Sequence, residues 1–116
     1  MTEPTIFERI IAREVPGDFL YEDDRLVAIR DIAPKAPMHL LVIPRTAYRD
    51  VTELAAADPG LLAHAVLVAR DLAARHADGD FRLVFNSGAG AGQTVFHVHA
   101  HVLAGGLGEG SLGFDL

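Results

Sequence analysis

Apolar positions along this 116-residue chain recur with two different periods, and the switches between them outline the elements. "TIFERIIARE" repeats at helical spacing through Ile6, Phe7, Ile10 and Ile11, and Thr5 with Glu8 forms a T-x-x-E capping box at its start. "VPGD" at 15–18 is predicted to stop that helix. "FLYE" and "RLVAIRDI", parted by Asp23 and Asp24, read as a hairpin. "APKAP" at 33–37 carries two prolines and is a rigid loop, whereas "MHLLVIP" at 38–44 has the branched, apolar content of a buried strand. Asp50 and Glu53 open a short helical turn, "VTELAAA". Asp58 and Pro59 supply the cap and first residue of a longer helix, with Leu61, Leu62, Ala65, Val68, Ala69 and Leu72 as its apolar stripe. After "DGD" at 78–80 come a strand, "FRLVFN" (81–86), a flexible turn, "SGAGAGQ" (87–93), and a last strand, "TVFHVHAHVLA" (94–104). The tail, 105–116, is glycine-rich and aperiodic.

Helices and hairpins are segregated instead of alternating as βαβ units. The expected class is therefore α+β, with an antiparallel five-stranded sheet and two main helices in one domain spanning 1–116. Half of the residues are hydrophobic and 22% are charged, which suits a folded globule. A net charge of −6 argues against a general nucleic-acid binder or a partner of acidic membranes, since both need a positive field. It leaves room for a local anion site built from backbone N–H groups and imidazoles. Without cysteine there is neither a disulfide framework nor a thiolate metal site. The N-terminus has no signal-peptide core and no apolar run is long enough to span a bilayer, so a cytoplasmic location is expected.

Three of the six histidines, His97, His99 and His101, occupy alternate positions of the last strand. Alternation sends all three to one face, and Phe96, Val98, Ala100 and Val102 to the core face. A single histidine there, like His64 or His76 on the long helix, reads as a solvated polar residue. Three in register, with no Lys, Glu or Thr among them, do not. A metal centre is one alternative, because His-x-His on a strand makes a good zinc pair. The Cα atoms of His97 and His101 are, however, ~13 Å apart at strand rise. Such a site would use two of the three with an outside ligand such as His39, leaving one histidine idle. Covalent chemistry on phosphorus uses all three. A neutral imidazole attacks to form a phospho-histidine, while its neighbours orient phosphoryl oxygens or handle protons.

The preceding "NSGAGAGQT" strengthens that reading. A strand rather than a helix follows it, so it is no dinucleotide loop, and it lacks the ending of a Walker A loop. Its glycines, Gly92 among them, let backbone N–H groups approach an anion, and Asn86, Gln93 and Thr94 bring polar side chains to the same end. His39 interrupts an apolar strand and is as readily a satisfied core histidine as a functional one. Asp31 suits either a turn or the vicinal hydroxyls of a ribose.

"TIFERII", "YEDDRLVAIRDIAPKAPMHLLVIPR" and "FNSGAGAGQTVFHVHAHVLAGG" together resemble the histidine-triad family, in particular the Hint branch of nucleotide-binding proteins. The resemblance runs from residue 5 to 106. It implies a homodimer of α+β subunits sharing one continuous sheet, and hydrolysis of purine nucleoside phosphoramidates to an amine and a nucleoside monophosphate, without a metal or other cofactor. By motif position His99 would be the nucleophile, with His97, His101 and His39 supporting it and the phosphate. Asp31 would hold the ribose, Asn86 and Thr94 would contact the phosphate or leaving group, and Ile6, Phe7, Ile10, Ile29 and Ile32 would wall the base pocket. Thr94 stands where serine is common in that family, Ala47 where histidine is common, and the tail has no tryptophan. Rival readings are a nucleotide-binding or adaptor protein with little catalysis, a dinucleoside-polyphosphate hydrolase or nucleotidyl transferase of the same superfamily, and a metal-dependent hydrolase.

Overall fold

A computed structural model describes residues 3–107 and 116. Its helices are α1 (Ile6–Ile11), α2 (Val51–Ala57) and α3 (Pro59–His76), and its strands β1 (Phe19–Glu22), β2 (Leu26–Arg30), β3 (Met38–Pro44), β4 (Arg82–Val84) and β5 (Ala100–Ala104). The five strands form one sheet in the order β1-β2-β3-β5-β4, with every neighbouring pair antiparallel. The α+β class and strand count expected from the hydropathy pattern are those observed. Of the glycine-rich tail, residues 108–115 lie outside the described residues.

Local chemistry sets the helix starts. Thr5 accepts from the Glu8 N–H while the Glu8 carboxylate accepts from the Thr5 N–H, completing the capping box. Asp50 accepts from the Glu53 N–H, and Asp58 from the Leu61 N–H with Pro59 in the first turn. The end of α1 differs from expectation. The helix stops at Ile11, and Arg13 turns the chain with a φ of 65°, before the Val15–Asp18 stretch is reached. The guanidinium of Arg13 lies 3.7 Å from the centre of the Phe19 ring, a contact that holds this unusual non-glycine conformation and that no local signal announces.

Strand alternation gives the sheet two buried faces. Met38, Leu40 and Val42 of β3 pack with Leu26 and Ala28, and with Val98, Ala100, Val102 and Ala104, under α2 and α3. The opposite face carries Val27, Ile29, Leu41 and Ile43 against Phe7 and Ile10 of α1. Both faces being covered explains why β3 reads as a continuous apolar run. His64 of α3 is also explained by packing. It meets Asp23 at 2.6 Å, and Asp23 in turn accepts from the Tyr21 hydroxyl and from the Arg25 and Leu26 N–H groups. These donors hold the Asp23 carboxyl well below the usual carboxylate range although burial opposes them, so the hairpin tip is clamped to α3.

The last strand is shorter than predicted. It begins only at Ala100, and residues 94–99 lie outside the ladder, with bends at 95–97. Alternation therefore does not extend back to Phe96, which is 39% exposed beneath the Arg49 guanidinium instead of pointing into the core. Val98, Ala100 and Val102 do face the core beneath α2 and α3. The expected flexible turn contains a 3₁₀ turn at Ala89–Ala91, closed by Gly92 at φ 90°. The predicted strand at 81–86 is ladder-paired only at Arg82–Val84. Among the described residues no helix is long and apolar enough to cross a membrane.

Candidate active site

The histidines lie on the α1 face of the sheet, and that face is roofed instead of solvated. His97 is fully buried, and His39 and His101 are 4% and 5% exposed. Register places the last two together. In the β3–β5 ladder His39 is opposite Leu103 and His101 opposite Leu41, so the two imidazoles are diagonal neighbours on one face. Their ring nitrogens, His39 Nε2 and His101 Nδ1, are 2.9 Å apart. The Asp31 N–H donates to the His39 carbonyl, which extends the β2–β3 pairing and sets the Asp31 carboxylate 3.4 Å from His39 Nε2. Phe7 packs edge-on against His99 and His97 at 4.8 and 5.8 Å between ring centres, and His99 meets His101 at 5.2 Å.

Burial pushes all four imidazoles below their ordinary value of 6.5. His101 is pushed down to about 4, by burial first and then by the neighbouring His99 and His39. With the rings neutral, their hydrogen bonds fix each tautomer. His39 Nδ1 accepts from the Lys35 N–H at 3.0 Å, so its proton is on Nε2 and is donated to His101 Nδ1. His101 then carries its own proton on Nε2. His97 Nε2–H donates to the Pro44 carbonyl at 2.7 Å, which leaves Nδ1 to accept from the Thr5 hydroxyl at 2.7 Å. His99 Nδ1–H donates to the His97 carbonyl at 2.8 Å. The remaining lone pair, on His99 Nε2, has no hydrogen-bond partner among the described residues and can act as a nucleophile.

A cavity of about 380 Å³ opens over this pair, a volume in the range of small-molecule sites. His99, His101, Asp31, Thr94, Asn86 and Gly92 supply its polar lining. Ile6, Phe7, Ile10, Ile29 and Ile32 supply its apolar wall, joined by Leu41 and Val95. Ile32 is fully exposed and Ile6 42% exposed, an apolar rim with nothing packed on its outer side among the described residues. Asp31 takes the turn role open to it from sequence, with Oδ1 accepting from the Ala33 N–H, and it also lines the cavity. Three expected site residues stand elsewhere. Gln93 is buried, with its amide spent on Gly88 N–H, Arg49 O and Val95 O, so it holds the loop instead of lining the cavity. His39 and His97 lie behind His101 and His99 and reach the cavity only through them. The main-chain oxygen of Leu116 accepts from Asn86 Nδ2 at 2.9 Å and joins the lining, as does Arg30. Pro44 O, Lys35 N and Thr5 were not legible as site groups, because each acts through a contact distant in sequence or through the backbone.

Asp31, His39 and His101 each offer one ligand atom, all within 4.8 Å of one another, a set that could hold a divalent ion. A metal there would have to displace the proton that His39 donates to His101.

The chain belongs to the histidine-triad family: the model of the HIT domain matches residues 12–106. Among its relatives, the purine nucleoside phosphoramidase of Escherichia coli K12 is 40% identical over 107 residues, covering 90% of each chain. An uncharacterised HIT-like protein of Synechocystis is 47% identical over 106 residues, 90% of this chain and 93% of its own. A HIT family hydrolase of Clostridium thermocellum has a structure that superposes with a TM-score of 0.84 at 40% identity, over 91% of this chain and 94% of that one. Fold and family thus define a HIT-domain protein.

The neutral imidazoles tie stability to pH with a definite sign. Each has a folded value below its unfolded one, so below pH 6.5 the unfolded chain takes up protons that the folded chain refuses. Stability is complete above ~6.5 and falls with pH below it, until the folded values are reached. For His101, the displacement from 6.5 to about 4 corresponds to roughly 3 kcal/mol. Urea midpoints are expected to decline between pH 6.5 and 4, and the decline should be shallower in His101→Phe. A midpoint constant over that interval would contradict neutral burial.

Proposed function

We propose that the protein hydrolyses the P–N bond of purine nucleoside phosphoramidates, releasing an amine and a nucleoside monophosphate. The observation that carries this reading is the tautomer of His99: Nδ1–H is held by the His97 carbonyl, and the Nε2 lone pair is left beside an apolar cavity. His99 Nε2 attacks phosphorus, the P–N bond breaks, and the leaving nitrogen takes a proton from solvent, which the open cavity admits, to depart as the amine. Water then attacks the nucleotidyl-histidine, returning Nε2 and releasing the monophosphate. His101 Nε2–H is the donor for a phosphoryl oxygen or the leaving nitrogen, kept in that form by the His39 proton behind it. Thr94, Asn86 and the Gly92 backbone face the phosphate, Asp31 the ribose hydroxyls, and the isoleucine and Phe7 wall the purine. The 40% identity to a protein named purine nucleoside phosphoramidase supports the substrate class. The scheme uses no cofactor.

The working form in this reading is a homodimer in the cytoplasm. Two sheets would join into one at an edge strand, β1 or β4, since β5 lies inside the sheet. The experiment that tests the function is turnover of a fluorogenic adenosine phosphoramidate, with and without EDTA. EDTA-resistant turnover supports metal-free histidine catalysis. Turnover abolished by EDTA would assign the Asp31–His39–His101 cluster to a metal, and tight AMP binding without turnover would make the protein a nucleotide-binding module.

A further inference from the structure

We propose that Thr5 is a positioning residue for the histidine triad, one hydroxyl serving as both the cap of α1 and the orienting donor of His97. The inference rests on the hydrolase reading above for its kinetic consequence, but not for its geometry.

Three observations carry it. First, Thr5 Oγ1 is 2.7 Å from His97 Nδ1, ninety-two residues away, while it also accepts from the Glu8 N–H at 3.1 Å. Since His97 Nε2–H is committed to the Pro44 carbonyl, Nδ1 of the neutral ring can only accept, and the hydroxyl must donate. The cap therefore supplies the acceptor that Glu8 needs and the donor that His97 needs. Second, residue 97 lies outside the β5 ladder, which starts at Ala100. The peptide that presents the His97 carbonyl to His99 Nδ1 is held by the two bonds to the His97 ring, and by the Val98 N–H on Tyr48 O. Releasing one end of the ring loosens the carbonyl that orients the nucleophile. Third, α1 carries Ile6, Phe7 and Ile10 of the cavity wall, so the same hydroxyl pins that wall to the triad.

The other groups facing His97 are neutral or apolar apart from Glu8: Phe7 lies edge-on at 5.8 Å, Pro44 O and Thr5 take the two nitrogens, and the Glu8 carboxylate favours the charged ring weakly against burial. A donor on Nδ1 opposes protonation there, so Thr5 also helps keep His97 neutral.

Three substitutions separate positioning from capping. Thr5→Ser keeps both bonds, Thr5→Val loses both, and Thr5→Asp keeps a capping oxygen for Glu8 N–H but cannot donate to Nδ1. The readouts are kcat and KM for an adenosine phosphoramidate, the melting temperature, and the ¹⁵N shifts of the His97 ring. Thr5→Ser should keep wild-type kcat and an Nε2–H tautomer. Thr5→Asp should keep most of the thermal stability, acquire a proton on His97 Nδ1, and lose kcat by about tenfold or more, the scale of a slightly misplaced reacting group. Should Thr5→Val fail to fold, the Asp and Ser pair still decides. Wild-type kcat in Thr5→Asp, or a His97 spectrum unchanged in it, overturns the proposal. If wild type itself does not turn over the phosphoramidate, the hydrolase reading fails alone, because the His97 spectra still report whether Thr5 sets the tautomer.

Discussion

His99→Ala is expected to reduce phosphoramidate turnover on the order of 10⁴-fold or more, the usual cost of deleting a nucleophile from a site whose parts act as a unit. The loss should fall on kcat, since the purine and ribose contacts belong to other residues. The fold should survive. His99 is only half-buried, and among the described residues its one side-chain hydrogen bond is to the nearby His97 carbonyl. AMP binding by calorimetry, measured beside turnover, checks both halves: binding kept and turnover lost is the expected pair. Retained turnover in this variant would remove the covalent scheme, whatever the family.

The second large effect concerns the other cavity-facing imidazole. His101→Phe preserves much of the ring volume but removes the Nε2–H donor, and kcat is expected to fall by roughly 10²- to 10³-fold, the scale of losing one positioned donor to a developing charge. The loss should grow with the basicity of the departing amine. An alkylamine gathers more negative charge on nitrogen as it leaves and depends more on the hydrogen bond from Nε2–H, whereas a weakly basic arylamine needs less help. Equal losses for both would assign His101 to stabilising the phosphoryl oxygens alone. His39 would keep a partner in this variant, because Asp31 is 3.4 Å from Nε2. Gross unfolding is therefore not expected.

The contrast between His64 and the triad shows where sequence reading succeeds. A lone histidine on a helix carries no pattern, and structure spends it on Asp23 as a clamp between α3 and the hairpin. Three alternating histidines beside a glycine-rich turn do carry one, because alternation on a strand is a geometric statement about direction. The same rule overreached before Ala100, where the ladder begins: His97 and His99 reach the site without strand pairing, and Phe96 does not point into the core. It was silent on the surroundings: the face that holds the histidines is covered by α1, and burial pushes all four rings below their ordinary value.

The chain alone determined its elements and their class, since capping residues, hydropathy periods and proline placement are local properties read within a few residues. Its motifs marked the histidines, Asn86 and Thr94, whereas the apolar residues that line the cavity were named only through the family resemblance. Only the tertiary structure decided which nitrogen bears each proton. That depends on Lys35 N–H meeting His39, Pro44 O meeting His97 and Thr5 reaching a ring at the other end of the chain. It likewise turned Gln93 from an anion-binding candidate into a buried brace for the loop. Long-range hydrogen bonds select one partner among many compatible ones, and that selection exists only once the sheet register and the seat of α1 are set.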